Sequence, residues 1–309
     1  MAVDSLTRPT TRAPVNWQEW IIEATIRILG LSGIGFVVLI FLFLLREGVP
    51  AFWEVPLVEL AGIRWYPTLE VYGFVPLILG SLLVTIGAVA IAVPLGIAVA
   101  IFLSDLAPAW LRNILKPMIE VIAGIPSVVL GFLGIVALSQ WIRVNLGAPT
   151  GLSAITGSLL LAYMALPTII SVAEDALDAV PRSYRDAALA MGATQWQTIW
   201  RVVLPAGKTG ILTAVMLGVG RALGETMAVM MVTGNAPRIP LGLDAFFRPV
   251  RTMTATIAAE MGEVAQGSTH YHVLFAVGIV LFVLTFLINA LAAIALFRQA
   301  RRGGGRLLS

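Results

Sequence analysis

Residues 72–104 read YGFVPLILGSLLVTIGAVAIAVPLGIAVAIFLS, a long run without a charged side chain. An α-helix rises about 1.5 Å per residue, so about 20 apolar residues cross the roughly 30 Å hydrocarbon layer of a membrane. Only Pro76 and Pro94 interrupt this run. The stretch therefore predicts a membrane-spanning helix.

Five further stretches of the chain are long and apolar enough to cross a membrane. They are 28–45, 121–142, a fourth within 144–173, 206–233 and 273–297. None of them alternates apolar and polar residues as a barrel strand does, so helices are expected. The predicted fold class is an all-α integral membrane protein with six transmembrane helices.

The composition of the chain excludes several classes of protein. Of its 309 residues, 59% are hydrophobic and 12% charged, against roughly 45–50% and about 25% in soluble domains. So few charges cannot cover the surface of a water-soluble enzyme of this size. Cysteine is absent and there are two histidines, which argues against disulfide scaffolds and multi-histidine metal centres. The net charge of +3 forms no basic stripe, so nucleic acid is not an expected partner.

The placement of Lys and Arg predicts the orientation in the membrane. With the N-terminus inside, six spans return the C-terminus inside, and the inner segments then carry most of the basic residues. We therefore expect both termini in the cytoplasm of a multi-pass plasma-membrane protein. The first apolar run is longer than the ~7–15-residue core of a signal peptide and lacks a small-x-small site after it, so an uncleaved anchor is expected.

The loop between the predicted fourth and fifth spans, 174–205, reads EDALDAVPRSYRDAALAMGATQWQTIWRVVLP. Pro181 suits the first turn of a helix, and Gly192 breaks or caps that helix. An apolar face of a second helix is predicted from the spacing of Trp196, Ile199 and Trp200. The pattern predicts a two-helix elbow on the cytoplasmic side; an amphipathic helix lying on lipid is the alternative.

Two opposite charges, Arg221 and Glu225, lie inside the fifth predicted span. Four residues separate them, which places them on one face of a continuous helix. A charge at the bilayer centre costs about 2.5–3.5 kcal/mol on insertion scales, and pairing offsets part of that cost. Glycines flank the pair and allow close approach of a helix or a ligand: Gly218, Gly220 and Gly224. The pair either fixes helix packing or faces a hydrophilic pathway.

Some local patterns imitate functional sites. Residues 206–209, AGKT, look like the end of a Walker A loop, but the required earlier glycine is Val202 and a proline, Pro205, interrupts the turn. ATP binding by this chain is therefore not expected. His270 and His272 are more often surface or interfacial residues than metal ligands. Packing or lipid contact is the expected role of Met227, Met230 and Met231.

The loop 174–205 resembles the cytoplasmic "EAA" loop of ABC importer permeases. That loop has an acidic residue, two alanines, a glycine four residues on and an aliphatic-x-Leu-Pro ending. The matching residues here are Asp186, Ala187, Ala188, Gly192, Leu204 and Pro205. Aspartate replaces the usual glutamate, which keeps the charge and shortens its reach. The resemblance implies the type I, MetI-like permease architecture, with these residues docking into a separate ATPase and coupling to it.

Residues 220–228, GRALGETMA, resemble the phosphate-specific ABC permeases. Together with Gly234, Asn235 and the outer segment that follows, they are more similar to the C subunit (PstC) than to the paired A subunit. The resemblance implies import of inorganic phosphate past Arg221, Glu225 and Thr226, with Gly218, Gly220 and Gly224 packing the helix. It implies no catalytic or metal-binding residue in this chain.

The same resemblance implies the partners and the organisation of the chain. We expect an A-type second permease, two copies of an ATP-binding subunit that hold ATP and Mg, an extracytoplasmic phosphate-binding protein, and surrounding membrane lipid. No cofactor is expected in this chain itself. The expected segments are a cytoplasmic tail 1–20, a first helix with an outer segment 21–71, a permease core 72–297 that contains the coupling loop 174–205, and a cytoplasmic tail 298–309.

Two alternatives remain from the residues alone. The same architecture suits another oxyanion, such as sulfate or molybdate. A membrane-embedded enzyme acting on lipid, with Arg221 and Glu225 as a catalytic pair, is the third class; it predicts activity by the chain without an ATPase.

Overall fold

The computed structural model describes residues 17–240 and 242–304. Within these ranges, six helices are long and apolar enough to cross a membrane, which confirms the predicted fold class. Parts of the predicted tails 1–20 and 298–309, namely residues 1–16 and 305–309, lie outside the described residues.

The first part of the chain is one long helix followed by a small cap. Its elements are helices α1 (Trp17–Gly48), α2 (Ala51–Glu54) and α3 (Leu57–Leu60), and strands β1 (Trp65–Tyr66) and β2 (Val71–Tyr72). The strands pair antiparallel, with Trp65 opposite Tyr72. Glu70 has a φ of 56°, in the left-handed region, which lets the chain reverse direction before β2.

The middle of the chain contains the second, third and fourth spans. Its helices are α4 (Val75–Ile101), α5 (Ala109–Ala123), α6 (Ser127–Leu133), α7 (Gln140–Asn145) and α8 (Ala154–Asp178), and π-helical turns continue α4 through Phe102–Leu106 and join α6 to α7 through Gly134–Ser139. The predicted third span, 121–142, was wrong at its start. The helix α5 ends at Ala123, and a new helix starts after Pro126, whose ψ of 134° is extended. The third span is therefore Ser127–Asn145.

The last part of the chain contains the elbow and the final two spans. Its helices are α9 (Arg182–Ala190), α10 (Gln195–Thr198), α11 (Leu204–Gly224), α12 (Met227–Val232), α13 (Met253–Glu260) and α14 (Thr269–Gly304). A π-helical turn, Ile199–Val203, joins α10 to α11 without a break. The predicted fifth span, 206–233, is interrupted at Glu225 and Thr226, so the prediction of one continuous helix was wrong.

The six spans alternate in direction and define two ends of the bundle. The hairpin end carries β1, β2 and α13, and the elbow end carries α9 and α10. At the hairpin end, Gly48 at the close of α1 packs against Phe275 and Ile279 of α14. The helix α1 ends at this contact and α14 begins near it, so the two helices are antiparallel. Trp17, at the start of α1, and Gly304, at the end of α14, therefore both lie toward the elbow end.

Three clusters of buried side chains stack between these ends. A central cluster joins α4, α6, α8 and α12, with Leu161 and Val232 among its members. A second cluster, around Trp65, closes the hairpin end, and a third, around Ile199, closes the elbow end. Small residues bring α11 close to α8: a Cβ at Gly210 would lie 2.3 Å from the Cβ of Ala176, so no larger residue fits there.

Candidate substrate pathway and coupling elbow

The break in the fifth span is the main feature of the candidate pathway. The helix α11 ends at Gly224, and Glu225 adopts an extended backbone with φ −68° and ψ 129°. The helix α12 then starts at Met227. Backbone carbonyls in the last turn of α11 lose their helical partners at such an end, so the break is polar although it lies within a membrane span.

Arg221 lies in the last turn of α11, directly before the break. Its Nη1 donates a hydrogen bond to Oγ1 of Thr168 on α8, at 3.3 Å. The side chain is half-buried. A cation at the C-terminus of a helix is favoured by the helix dipole. The predicted ion pair with Glu225 was wrong, because Glu225 lies outside the helix and the two residues form no salt bridge among those of the described chain.

Glu225 has a structural contact that the sequence did not suggest. Its Oε1 accepts hydrogen bonds from the backbone N–H groups of Thr226 (3.2 Å) and Ala228 (3.3 Å). The N–H of Ala228 lies in the first turn of α12 and that of Thr226 directly before it, so the carboxylate caps that helix. Thr226, predicted to line the pathway, precedes α12 and donates through Oγ1 to the carbonyl of Gly224 at 3.2 Å.

Glu225 also borders a small recess rich in hydroxyl groups. The polar residues that line this hydroxyl recess are Ser81, Thr85, Glu225, Thr252 and Thr254. Thr254 donates through Oγ1 to the carbonyl of Glu225 at 3.1 Å, and the backbone N–H of Met253 donates to Oγ of Ser81 at 2.9 Å. The first turn of α13 is thereby held against α4 and against the break. None of these hydroxyl residues was singled out from the sequence.

The three glycines of the fifth span have different surroundings. A Cβ at Gly218 would lie 2.5 Å from Cγ1 of Ile169, so the absence of a side chain there lets α11 pack closely on α8. Among the described residues, nothing lies within 4 Å of a Cβ built at Gly220 or Gly224. Gly220, Arg221 and Gly224 share a face of α11, and the two glycines on it have no close neighbour in the part of the chain that the structure describes.

The elbow, residues 182–198, has the predicted two-helix form. Pro181 is the N-cap residue of α9 and lies before its first turn. Gly192 follows the end of α9 and has a φ of +85°, which turns the chain toward α10. Thr194 and Gln197 form a reciprocal capping box at the start of α10. On α9, Asp186 and Ala187 are exposed and Ala188 is half-buried, so the first two are open to a partner.

The second part of the elbow differs from the predicted single apolar face. Ile199 is buried in the cluster at the elbow end, whereas Trp196 and Trp200 are 58% and 54% exposed. The two indole rings lie edge to face, with centroids 5.7 Å apart. Leu204 and Pro205 begin α11, with the proline in the first turn, where its missing N–H costs no helical hydrogen bond. Residues 206–209 are helical within α11 and form no phosphate-binding loop.

Charged residues that the sequence analysis did not single out hold the elbow in place. Nε of Arg185 on α9 donates to Oδ1 of Asp105 at 2.8 Å. The same guanidinium donates to the carbonyls of Val180 (2.8 Å) and Leu177 (3.0 Å), at the end of α8. On the other side of the elbow, Nε2 of Gln195 donates to the backbone carbonyl of Asp105 at 3.0 Å.

A buried carboxylate ties α5 to the same end of α8. Glu174 is fully buried; it accepts from Nη2 of Arg112 at 2.6 Å and pairs with Nζ of Lys116 at 2.7 Å. Arg112 also pairs with Asp178, and Lys116 with Asp175. The hydrogen bond to Glu174 raises the pKa of Lys116 above its usual value, although burial acts in the opposite direction. The sequence does contain a signal for this cluster, because Arg112 and Lys116 are basic residues four positions apart. They were used only to predict the orientation in the membrane.

At the hairpin end, both histidines contact carboxylates. Nε2 of His270 lies 2.9 Å from Oε2 of Glu260, and Nδ1 of His272 lies 2.8 Å from Oε1 of Glu54. Glu260 also forms a salt bridge with Arg251, whose Nη2 lies 2.6 Å from Oε1, and it accepts a hydrogen bond from Nε1 of Trp65 at 3.1 Å. Burial alone would raise the pKa of Glu260, but the hydrogen bond with His270, the charge of Arg251 and the bond from Trp65 together hold it below its usual value.

These features together describe a membrane permease: a helical bundle with a broken span and an elbow open to a partner. The family described as "Binding-protein-dependent transport system inner membrane component" matches residues 92–301. The chain belongs to this family. It is a permease subunit of the plasma membrane, rather than an enzyme.

Two relatives show how similar the chain is to particular permeases. A "Probable ABC transporter permease protein YqgH" from Bacillus subtilis (strain 168) is 43% identical over 234 residues, 75% of each chain. A "Phosphate transport system permease protein PstC" from Mesorhizobium japonicum is 40% identical over 264 residues, 79% of this chain and 80% of the relative. A bacterial ABC transporter "involved in the import of the acidic polysaccharide alginate" has a similar fold, with a TM-score of 0.63 and 17% identity over 91% of this chain and 98% of that chain.

Proposed function

We propose that this chain is the membrane-spanning permease subunit of an ATP-driven importer of inorganic phosphate. The relatives named as phosphate transport permeases support this substrate, because their similarity covers most of both chains. The single structural observation that carries the proposal is the half-buried Arg221 at the break of the fifth span.

Arg221 suits the chemistry of phosphate. Phosphate carries about −1.5 charges near pH 7, and its oxygens match the planar fork of a guanidinium in a bidentate contact. An anion crossing a low-dielectric layer needs such a countercharge. The hydrogen-bond partner of Arg221 is the neutral hydroxyl of Thr168, so no carboxylate neutralises the guanidinium in that contact. The guanidinium is therefore the group that we expect to meet the passing anion.

Glu225 and Thr226 supply the second part of the proposed pathway. Both backbone hydrogen bonds to Glu225 use Oε1, so the carboxylate is held in place with Oε2 directed elsewhere. Protonated phosphate still carries an O–H group, which a carboxylate oxygen accepts and which sulfate lacks. We infer that Glu225 favours phosphate over sulfate, and that Thr226 keeps the break open by binding the carbonyl of Gly224.

The elbow is the proposed contact with the ATPase. Its exposed residues Asp186, Ala187 and Gly192 present a charge beside small side chains that permit close approach. Leu204 and Pro205 join it rigidly to α11. Because this chain offers one elbow and two ATPase copies need two, we propose an assembly with an A-type second permease, two ATP-binding subunits holding ATP and Mg, and an extracytoplasmic phosphate-binding protein.

We further propose the orientation and segments of the chain in that assembly. The elbow must face the cytoplasm to reach an ATPase, and the ends of α1 and α14 point the same way, so both termini are cytoplasmic. Segment 72–297 forms the transport core, and 21–71 forms the anchor and outer cap. Closing of the ATPases then moves the elbow, and α8 and α11 repack around Arg221 to expose it to the other side.

Reconstitution tests the proposal against its alternatives. The chain is purified with its partner subunits in proteoliposomes, and ATP-dependent uptake of phosphate, sulfate and molybdate is compared. We expect ATP-dependent uptake of phosphate, and we expect that an excess of sulfate or molybdate does not inhibit it. Uptake of sulfate or molybdate instead assigns the chain to another oxyanion, and lipid turnover by the isolated chain without ATPase identifies an enzyme.

A further inference from the structure

The end of α4 is the place where both arms of the elbow meet one residue. Arg185 from α9 binds the carboxylate of Asp105, and Gln195 from α10 binds its backbone carbonyl. Asp105 lies in the π-helical turn that continues α4. In sequence these contacts span 80 and 90 positions, so they join separate parts of the fold rather than neighbours in one helix.

The pair between Asp105 and Arg185 is well shielded from water. The two side chains are 7% and 19% exposed, and Oδ2 of Asp105 is buried without a hydrogen-bond partner among the described residues. The guanidinium of Arg185 therefore balances the negative charge of a carboxylate that water does not reach. Separating the two groups would leave that charge buried and unpaired, which costs free energy. The contact therefore behaves as a stiff link, unlike an exposed ion pair, which exchanges readily with water.

The guanidinium of Arg185 joins three elements at once. Besides Asp105 of the α4 turn, it binds the carbonyls of Leu177 and Val180 at the end of α8. The residue is itself part of α9, one position before Asp186. A displacement of α9 is thus delivered directly to α4 and α8, and α8 carries Thr168, the partner of Arg221.

From this geometry we propose that Asp105 and Arg185 are positioning residues that couple the elbow to the transport helices. The pair makes the elbow, the inner end of α4 and the end of α8 move as one body when the ATPase subunits close. Neither residue touches the transported anion. The proposal rests on the permease function above, and it adds the specific link through which force reaches the pathway.

The first test measures whether the elbow and α4 move together. The chain contains no cysteine, so Met191→Cys on the elbow and Leu95→Cys on α4 are the only thiols in it for spin labels. Met191 and Leu95 are 88% and 51% exposed and accept labels. In the transporter assembled with cysteine-free partners, we expect the label distance to stay the same when ATP is trapped. A change of several ångströms overturns the proposal, and this measurement needs no change at residues 105 or 185.

The second test removes the charge of the link and keeps its shape. In Asp105→Asn we expect the same label distance to broaden or shift with ATP, and the phosphate imported per ATP hydrolysed to fall about tenfold, since the shielded guanidinium of Arg185 loses its opposite charge. Asp244→Asn is the matched control, because it breaks the exposed ion pair of Asp244 with Arg248. It should behave as the unmodified chain.

The outcomes separate this inference from the proposed function. If phosphate is not the cargo, uptake is absent in every form, including the unmodified one, while the label distances still report the link. If Asp105→Asn keeps both the narrow distance and the normal import ratio, the link is dispensable and the inference is wrong. A variant that hydrolyses ATP but imports little supports it, because a purely structural defect would lower both activities together.

Discussion

Arg221 donates a hydrogen bond to Thr168 across the interface between α11 and α8, although the two residues are 53 positions apart in the chain. Glu225, the expected partner of Arg221, caps α12 through its Oε1 instead. The two charges of the fifth span thus have separate structural contacts, and substitutions can test their roles independently.

Glu225 is predicted to have two separable roles. Glu225→Gln keeps a side-chain oxygen for the N–H groups of Thr226 and Ala228, so thermal unfolding in detergent should change little. Its phosphate-over-sulfate discrimination in uptake should fall, because the amide no longer presents a charged acceptor. Glu225→Ala should also destabilise the chain by about 1 kcal/mol through loss of the cap. Full discrimination in Glu225→Gln would rule out the proposed contact with protonated phosphate.

Gly192 is predicted to set the geometry of the elbow. Its φ of +85° strains any other L-residue, at about 1–2 kcal/mol, although no atom of residues 17–240 or 242–304 lies within 4 Å of an added Cβ. Gly192→Ala should therefore lower ATP-coupled uptake several-fold, and Gly192→Asn should do so less. Gly147→Ala is the matched control, since Gly147 has a φ of +65° and equally open surroundings away from the elbow. Equal loss of uptake in both alanine variants would show general destabilisation rather than a role of the elbow.

Removing the two cations around Glu174 is predicted to destabilise the fold more than removing the negative charge of Glu174 itself. The carboxylate is 1% exposed, whereas Arg112 and Lys116 are 30% and 32% exposed. The double variant Arg112→Met, Lys116→Met leaves a buried charge without its cations and should cost about 3–5 kcal/mol in the free energy of unfolding. Glu174→Gln should cost about 1 kcal/mol, because water reaches the remaining cations. Chemical denaturation in detergent measures both values, and the reverse order would contradict the account.

Glu260 is predicted to make stability depend on acidic pH. Its pKa is lower in the folded chain than the usual 4.5, so the ionised group stabilises the fold above that value. The contribution is lost as the pH falls through the lower, folded-state pKa. Glu260→Gln should therefore unfold at a lower temperature than the unmodified chain at pH 7, with the difference shrinking below about pH 4.5. Glu263→Gln, an exposed neighbour, is the control, and a pH-independent difference for Glu260→Gln would refute the assignment.

The membrane spans and the elbow could be predicted from the sequence because each depends on local composition. Apolar runs such as 72–104 need only length and absence of charge, and the elbow needs its glycine and prolines. The break at Glu225 could not be predicted in this way, because GRALGETMA contains no proline and a helix-favouring pattern continues through it. The contact that meets the freed backbone there is tertiary: the hydroxyl of Thr254, 29 positions later, donates to the carbonyl of Glu225.

The partners of isolated charges were equally beyond the sequence. Asp105 and Arg185 are 80 positions apart, and Glu174 meets Arg112 from 62 positions away. Helical spacing predicts contacts only within one helix. That limitation also explains the wrong ion pair, since the prediction assumed that Arg221 and Glu225 shared a helix.

The most direct measurement of the central claim is phosphate uptake by the assembled transporter carrying Arg221→Ala. The account predicts a loss of at least about 30-fold, since a charged bidentate contact is worth about 2–5 kcal/mol. Arg221→Lys should retain partial uptake, Thr168→Val should lose only a few-fold, and Arg27→Ala, at an exposed ion pair of α1, should lose none. Uptake by Arg221→Ala at the level of the unmodified transporter would contradict the claim that this guanidinium receives the anion.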